Sequence, residues 1–320
     1  MALTATRAQP QQLTAPAGVN RSAAIRLGLL AVIWGTSFLL IKVALHGLTP
    51  IQIVLGRMAL GAATLLIVLW LAGERLPTGR RTWASLAFVG VIANVVPFFL
   101  IAWGEQYVAT GLAGIYNATM PLFTLLVATA ALPEERPTVA KAAGLVVGFL
   151  GVLLVMAPWR GLGHSALAGQ LACLGAAACY AVAITYTRRY LSGSGYPPVV
   201  LAAGQLVAAT VVVAALVPFW VTGGVSLPPR VLSSVVALGA LGTGIAYLLF
   251  YRLIGEIGAT AASTVTYLVP VVAVSLGVAV LGEAVAWNDF VGAAVVLVGV
   301  AVAGGQLRRI PALGRADVPA

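Results

Sequence analysis

The chain has 320 residues, of which 61% are apolar and only 8% charged, with a mean hydropathy of +1.04. Soluble domains carry about 25% charged residues, so a water-facing globular domain is excluded and the chain reads as an integral membrane protein. The net charge of +10 is compatible with nucleic-acid binding, but the basic residues stand singly or in pairs between apolar runs. That pattern orients a chain in a membrane, and no nucleic-acid partner is expected.

A spanning helix needs about 20 mainly apolar residues, and ten such runs succeed one another at 26–45, 51–72, 83–103, 109–131, 138–157, 167–187, 198–221, 231–251, 258–281 and 287–306. The expected fold is therefore all-α, with ten transmembrane helices joined by short connections and the lipid bilayer as solvent. Residues 1–24, rich in Thr, Ala, Pro and Gln, read as a disordered tail without a cleavable signal. Residues 307–320 form a second tail.

Span one places Trp34 and Ser37 on one face. Span two buries a permanent cation, Arg57, about 10 Å below the end that begins at Pro50. A central arginine costs about 2.5–3.5 kcal/mol on insertion scales, so it is expected to face other helices. No acid lies mid-span to pair with it, which leaves carbonyl oxygens, Asn94 or Gln205 as partners. Two roles stay open, a structural brace or a receiver of a substrate carboxylate.

Span three carries Asn94 beside Pro97, and span four carries Gly114, Asn117 and Pro121 on one face. A proline inside a helix frees the carbonyl four residues earlier, and in lipid such a break implies a cavity or packed protein around it. Span five and span ten carry Gly144, Gly148, Gly151, Gly292 and Gly299, which permit close helix approach. They read as scaffold or dimer contacts. In span six, Cys173 and Cys179 lie about 9 Å apart along the axis on different faces, too far to bridge. Tyr180 and Thr187 follow in the same span, Gln205 lies in span seven, and Thr243 and Tyr247 in span eight. Span nine holds Ser263, Thr266 and Pro270, and Pro270 is the third expected helix break after Pro97 and Pro121. These polar and aromatic positions are the candidate lining of a small-molecule cavity; the alternative is tight helix packing with self-satisfied kinks. Trp70, Trp103, Trp159 and Trp220 fall near span ends, as an interfacial belt would.

The chain repeats itself. "YVATGLAGIYNATMPLFTLLVATAALPE" (107–134) lies over "EIGATAASTVTYLVPVVAVSLGVAVLGE" (256–283) at a shift of 149, pairing Pro121 with Pro270 and Glu134 with Glu283. "PIQIVLGR" (50–57) lies over "PVVLAAGQ" (198–205) at a shift of 148, and Trp34 with Tyr180 and Lys42 with Arg188 fit 146. The boundaries are 25–158 and 166–306. Each copy has five spans, an odd number, so the second copy must be inverted.

With the N-terminus inside, 14 Lys and Arg fall on the cytoplasmic side and 3 (Lys42, Arg160, Arg230) on the other. Both termini are therefore expected in the cytoplasm. Inverted repeats recur in secondary transporters, where the halves exchange conformations to alternate access.

Ten spans in two copies, "AVIWGTSFLLIKVAL" in the first span, Arg57 in the second and "P…LGE" closing the ninth resemble the EamA family of the drug/metabolite transporter superfamily. The resemblance covers about 26–306. It implies a multi-pass carrier of the bacterial inner membrane, often an exporter of amino acids or other small metabolites. The first copy departs from the pattern, with "LPEE" (132–135) where the second has "LGE". The resemblance also favours the brace for Arg57.

Proton-coupled carriers place Asp, Glu or His within spans. Here His46 and His164 fall in outer loops and Glu105 at an outer end, so uniport or exchange is expected. Neutral and aromatic linings suit zwitterionic or uncharged metabolites. The alternatives are a multidrug efflux carrier and a non-transporting scaffold or receptor. No catalytic set, metal site or cofactor is expected, and the assembly is expected to be a monomer or homodimer.

Overall fold

The computed structural model describes residues 21–133, 135, 138–160, 164–220 and 224–304. The expectations for 1–20, Glu134 and 305–320, and for the side chain of Trp220, fall outside this set. Among the described residues every regular element is helical. Eight helices are long and apolar enough to cross a membrane, and two shorter apolar helices follow them.

The helices in chain order are α1 (Arg21–Ala44), α2 (Pro50–Ala72), α3 (Arg80–Gly104), α4 (Thr110–Asn117), α5 (Met120–Ala131) and α6 (Val139–Met156). They continue with α7 (His164–Leu191), α8 (Pro198–Trp220), α9 (Pro229–Ala259), α10 (Val265–Leu281) and α11 (Trp287–Ala303). With α4 and α5 counted as the halves of one apolar run, the ten expected segments all appear in order.

Local chemistry sets several boundaries. Pro50 opens α2 at a position where its missing N–H costs nothing, and the Thr49 amide donates to Gln52 Oε1 at 2.8 Å. Gly73, at φ 71°, closes the helix in the left-handed region. α4 ends at Asn117, and the chain turns through Ala118 and Thr119, where the Thr119 hydroxyl donates to the Tyr116 carbonyl at 2.6 Å. Pro121 then lies in the first turn of α5. A break is thus present at Pro121.

The other two prolines differ from expectation. Pro97 does not break α3; the preceding turn widens into a π-helical stretch, Val91–Val95, and the helix resumes at Val96. Pro270 lies inside α10. The discontinuity falls earlier, at Ser263–Thr264, where Thr264 and Thr266 hydroxyls bond back to the carbonyls of Ala261 and Ser263 at 2.7 Å each. Short polar side chains compete there with the helix ladder. Span eight also runs on to Ala259, past the expected 251, with a kink at Gly258, φ 81°, next to its end.

The packing partners follow a pattern. α1 lies against α10 and α9, while α7 lies against α5, α4 and α3. α2 lies against α9, and α8 against α3; α2 also meets α8, α4 meets α10, and α6 meets α11. Exchanging each of the first five segments with its counterpart five later maps these pairs onto one another, although α1 also meets α4 and α5 meets α11. The α6–α11 pair brings two backbones close together. A Cβ on Gly144 would run into the backbone of Ala303, and one on Gly299 into Gly148. The glycine runs therefore serve contact within this chain.

Candidate functional site

Arg57 is 5% exposed and lies where α2, α3 and α9 meet. Its Nε donates to Thr243 Oγ1 at 2.9 Å, and a terminal nitrogen reaches toward the Gly242 carbonyl at 3.5 Å. The guanidinium carbon sits 3.7 Å from the centroid of the Phe98 ring. A desolvated cation over an aromatic face gains about 2 kcal/mol, which offsets part of the cost of burying it. The expected carbonyl partner is present, whereas neither Asn94 nor Gln205 bonds to Arg57.

Asn94 and Thr243 stand at the repeat shift of 149, and both lie in π-helical stretches, Val91–Val95 and Ala237–Ile245. The Thr243 hydroxyl donates in turn to the Leu238 carbonyl at 3.0 Å. Asn94 is fully buried, accepts from the Tyr247 hydroxyl at 2.6 Å, and keeps its amide nitrogen without a partner. Tyr180 meets Phe98 edge-on at 6.4 Å, Tyr247 meets Tyr251 at 6.2 Å, and Trp34 packs on Phe250 at 5.3 Å. Ser37 is buried on α1 and bonds to the Ile33 carbonyl, with its hydroxyl facing Gly242.

One connected cluster thus gathers Ser37, Arg57, Asn94, Tyr180, Thr243 and Tyr247 from both halves of the chain, with Trp34 at its flank. The other expected site residues stand elsewhere among the described residues. Gln205 is buried where α8 crosses α3. Asn117 ends α4 with its side-chain amide oxygen Oδ1 unpartnered. Thr187 opens the final π-helical turn of α7, while Ser263 and Thr266 belong to the break before α10.

Sequence reading missed Phe98, Tyr251 and Glu283. Phe98 had a usable signal, being four residues past Asn94 on the same helical face. Glu283 is the acid of the "LGE" stretch. Its carboxylate accepts from the amides of Thr110 at 2.7 Å and Gly111 at 3.2 Å, so it caps the start of α4 from across the molecule.

The two ends of the bundle differ. At one end, Arg26 pairs with Glu256 at 2.5 Å, Arg252 joins it at 3.0 Å, and Glu135 pairs with Arg188 at 2.8 Å and Lys141 at 2.9 Å. The hydrogen bonds from Arg188 and Lys141 hold the Glu135 carboxyl below the usual range. At the other end, Lys42 donates to the main-chain carbonyls of Glu105 and Val108. Glu105 falls just past α3, as expected from sequence, yet it is fully buried rather than solvated. Trp70 and Trp159 are exposed near helix ends.

A family model described as the EamA-like transporter family matches residues 22–157 and again 167–305. The chain belongs to the EamA-like transporter family.

Within that family, an uncharacterized transporter of Archaeoglobus fulgidus is 28% identical over 86% of this chain and 96% of its own length. The uncharacterized transporter YoaV of Bacillus subtilis is 26% identical over 86% and 95%. A protein of Streptantibioticus cattleyicolor named as a probable terminal-alkyne amino-acid exporter is 28% identical over 86% and 90%. A solved crystal structure matches the fold with a TM-score of 0.64 at 21% identity, covering 88% of this chain and 98% of that one. This EamA-family protein is therefore a multi-pass membrane transporter by descent.

Proposed function

We propose that this protein is a secondary transporter of the bacterial inner membrane that exports amino acids or similar small metabolites by alternating access. The observation that carries the reading is the buried Arg57 cluster, built from α2 and α3 of one half and α9 of the other. A polar site at the junction of two halves is where a substrate is held while the halves rock. The exchange-symmetric packing and the paired π-helical stretches favour two five-span copies, 25–158 and 166–306, inverted in the bilayer with both termini inside. An inner-membrane transporter, YedA of Escherichia coli, is 26% identical over 79% of the chain, and the named exporter supports the amino-acid class.

In this reading Thr243, Tyr247, Asn94 and Tyr180 offer hydrogen bonds to a zwitterion, and the Asn94 amide nitrogen is a donor without a present partner. Arg57 braces α2 to α9 and places positive charge beside the site. The aromatic wall of Trp34, Phe98, Tyr180, Tyr247 and Tyr251 favours a second reading, efflux of apolar drugs. Proteoliposomes loaded with labelled amino acids decide between them. Saturable amino-acid efflux supports the first reading, whereas efflux only of aromatic or cationic dyes overturns it.

A further inference from the structure

Glu105 has no exposed surface, and neither carboxylate oxygen has a hydrogen-bond partner. Lys42 of α1 stands near enough to act on it, yet its ammonium is directed at the main-chain carbonyls of Glu105 and Val108. The remaining charged groups that act on Glu105 are engaged elsewhere. Glu283 is engaged by the Thr110 and Gly111 amides, and Arg57 by Thr243 and Phe98. Cys173 of α7 is a buried free thiol. His46, beyond α1, lines with Lys42, Leu45, Glu105 and Gln106 an open hollow of about 270 Å³ at this end of the bundle.

An ionised carboxylate needs water or donors, and this one is fully buried with no protein donor on either oxygen; adding a proton removes the cost. Burial accordingly raises the affinity of Glu105 for a proton, opposed chiefly by Lys42. The four amides of the Glu105–Val108 turn each donate to a carbonyl at the end of α3, and Lys42 bonds to the carbonyls of Glu105 and Val108, so this side chain from α1 ties the turn to the bundle.

We propose that Glu105 is a proton-binding site that ties the opening of this mouth to pH: the carboxyl is neutral while the 105–108 turn is closed, and it releases its proton to water when the turn opens and exposes the side chain. The closed form has the raised proton affinity, so it is fully favoured below the ordinary carboxylate pKa of about 4.3 and is lost as pH rises above it. The inference concerns one mouth of the molecule and stands apart from what is transported.

Hydrogen–deuterium exchange on the full chain in lipid nanodiscs tests it, using peptides covering 104–111 and correcting for intrinsic amide rates. Between about pH 5 and pH 8 the opening constant rises by up to tenfold per unit in the native chain. It becomes independent of pH in Glu105→Gln and keeps its slope in His46→Gln. A flat native profile, a slope that survives Glu105→Gln, or a slope lost in His46→Gln overturns the proposal. Should Glu105→Gln fail to fold, infrared spectra of the native chain take its place. A protonated-carboxyl band at neutral pH that fades in step with the exchange supports the site, and its absence overturns it.

Discussion

At the residue scale, Arg57 shows how a permanent charge is accommodated in a span without a carboxylate. Its charge is distributed over a threonine hydroxyl, a carbonyl and the Phe98 face, none of which needs to be desolvated as an ion. A buried ion pair would have required two such desolvations. Phe98→Leu is expected to destabilise the fold, and the Arg57→Gln/Phe98→Leu cycle to show a coupling of about 1–2 kcal/mol, read from thermal midpoints in detergent. Additive midpoint shifts would remove the cation–ring contact from the account. Arg57→Lys is expected to retain charge but lose the planar stack and the Nε bond, lowering the midpoint nearly as far as Arg57→Gln. Asn94, Thr243 and Arg57 were legible as polar intrusions in apolar runs. Phe98 was legible only through its place four residues past Asn94, because one more phenylalanine in an apolar run carries no contrast of its own.

At the scale of elements, two devices set the geometry. The first is contact without side chains, where α6 and α11 meet across Gly144, Gly148 and Gly299. Gly299→Leu is expected to cost about 1–3 kcal/mol through overpacking, visible as a lower midpoint and faster exchange in both helices. The second is the cap that Glu283 places on α4. Glu283→Gln keeps the shape but removes the charge, and about 1 kcal/mol of helix-start stability goes with it. Faster exchange of the amides at 110–113, with α2 unchanged, is the expected signature. The sequence marked the glycine face from its spacing, since period alone places those residues together. It could not show that Glu283 reaches a helix more than 170 positions away. The expected break at Pro270 was displaced for a related reason: the local hydroxyl bonds of Thr264 and Thr266 and the turn at Gly258 decide where the helix yields.

At the scale of the molecule, the ion pairs Arg26–Glu256 and Arg188–Glu135 each join one half of the chain to the other at a single end. Exposed pairs are individually weak, so removing both with Arg26→Ala and Arg188→Ala is expected to shift the balance of conformers only severalfold toward the form parted at that end. Spin labels at Ser192 and Gly255 report this as a larger wide-distance fraction; an unchanged distribution means the pairs do not latch that end. The Glu135 pairing persists through neutral pH, since its carboxyl is held low, and it is lost only in acid, below about pH 4.3.

Apolar run length marked this chain, from the sequence alone, as a helical membrane protein, and charge asymmetry gave the expected orientation, while the EamA resemblance rested on its motifs. Run length and charge asymmetry are one-dimensional properties: a bilayer has a fixed thickness, and helices satisfy their own backbone bonds. Only the tertiary structure decided which helices face which, that Arg57 rests on Phe98 and Thr243, and that Glu105 at a helix end is sealed from water. Those are contacts between residues far apart in the chain, and no local pattern encodes the side chain that will lie opposite.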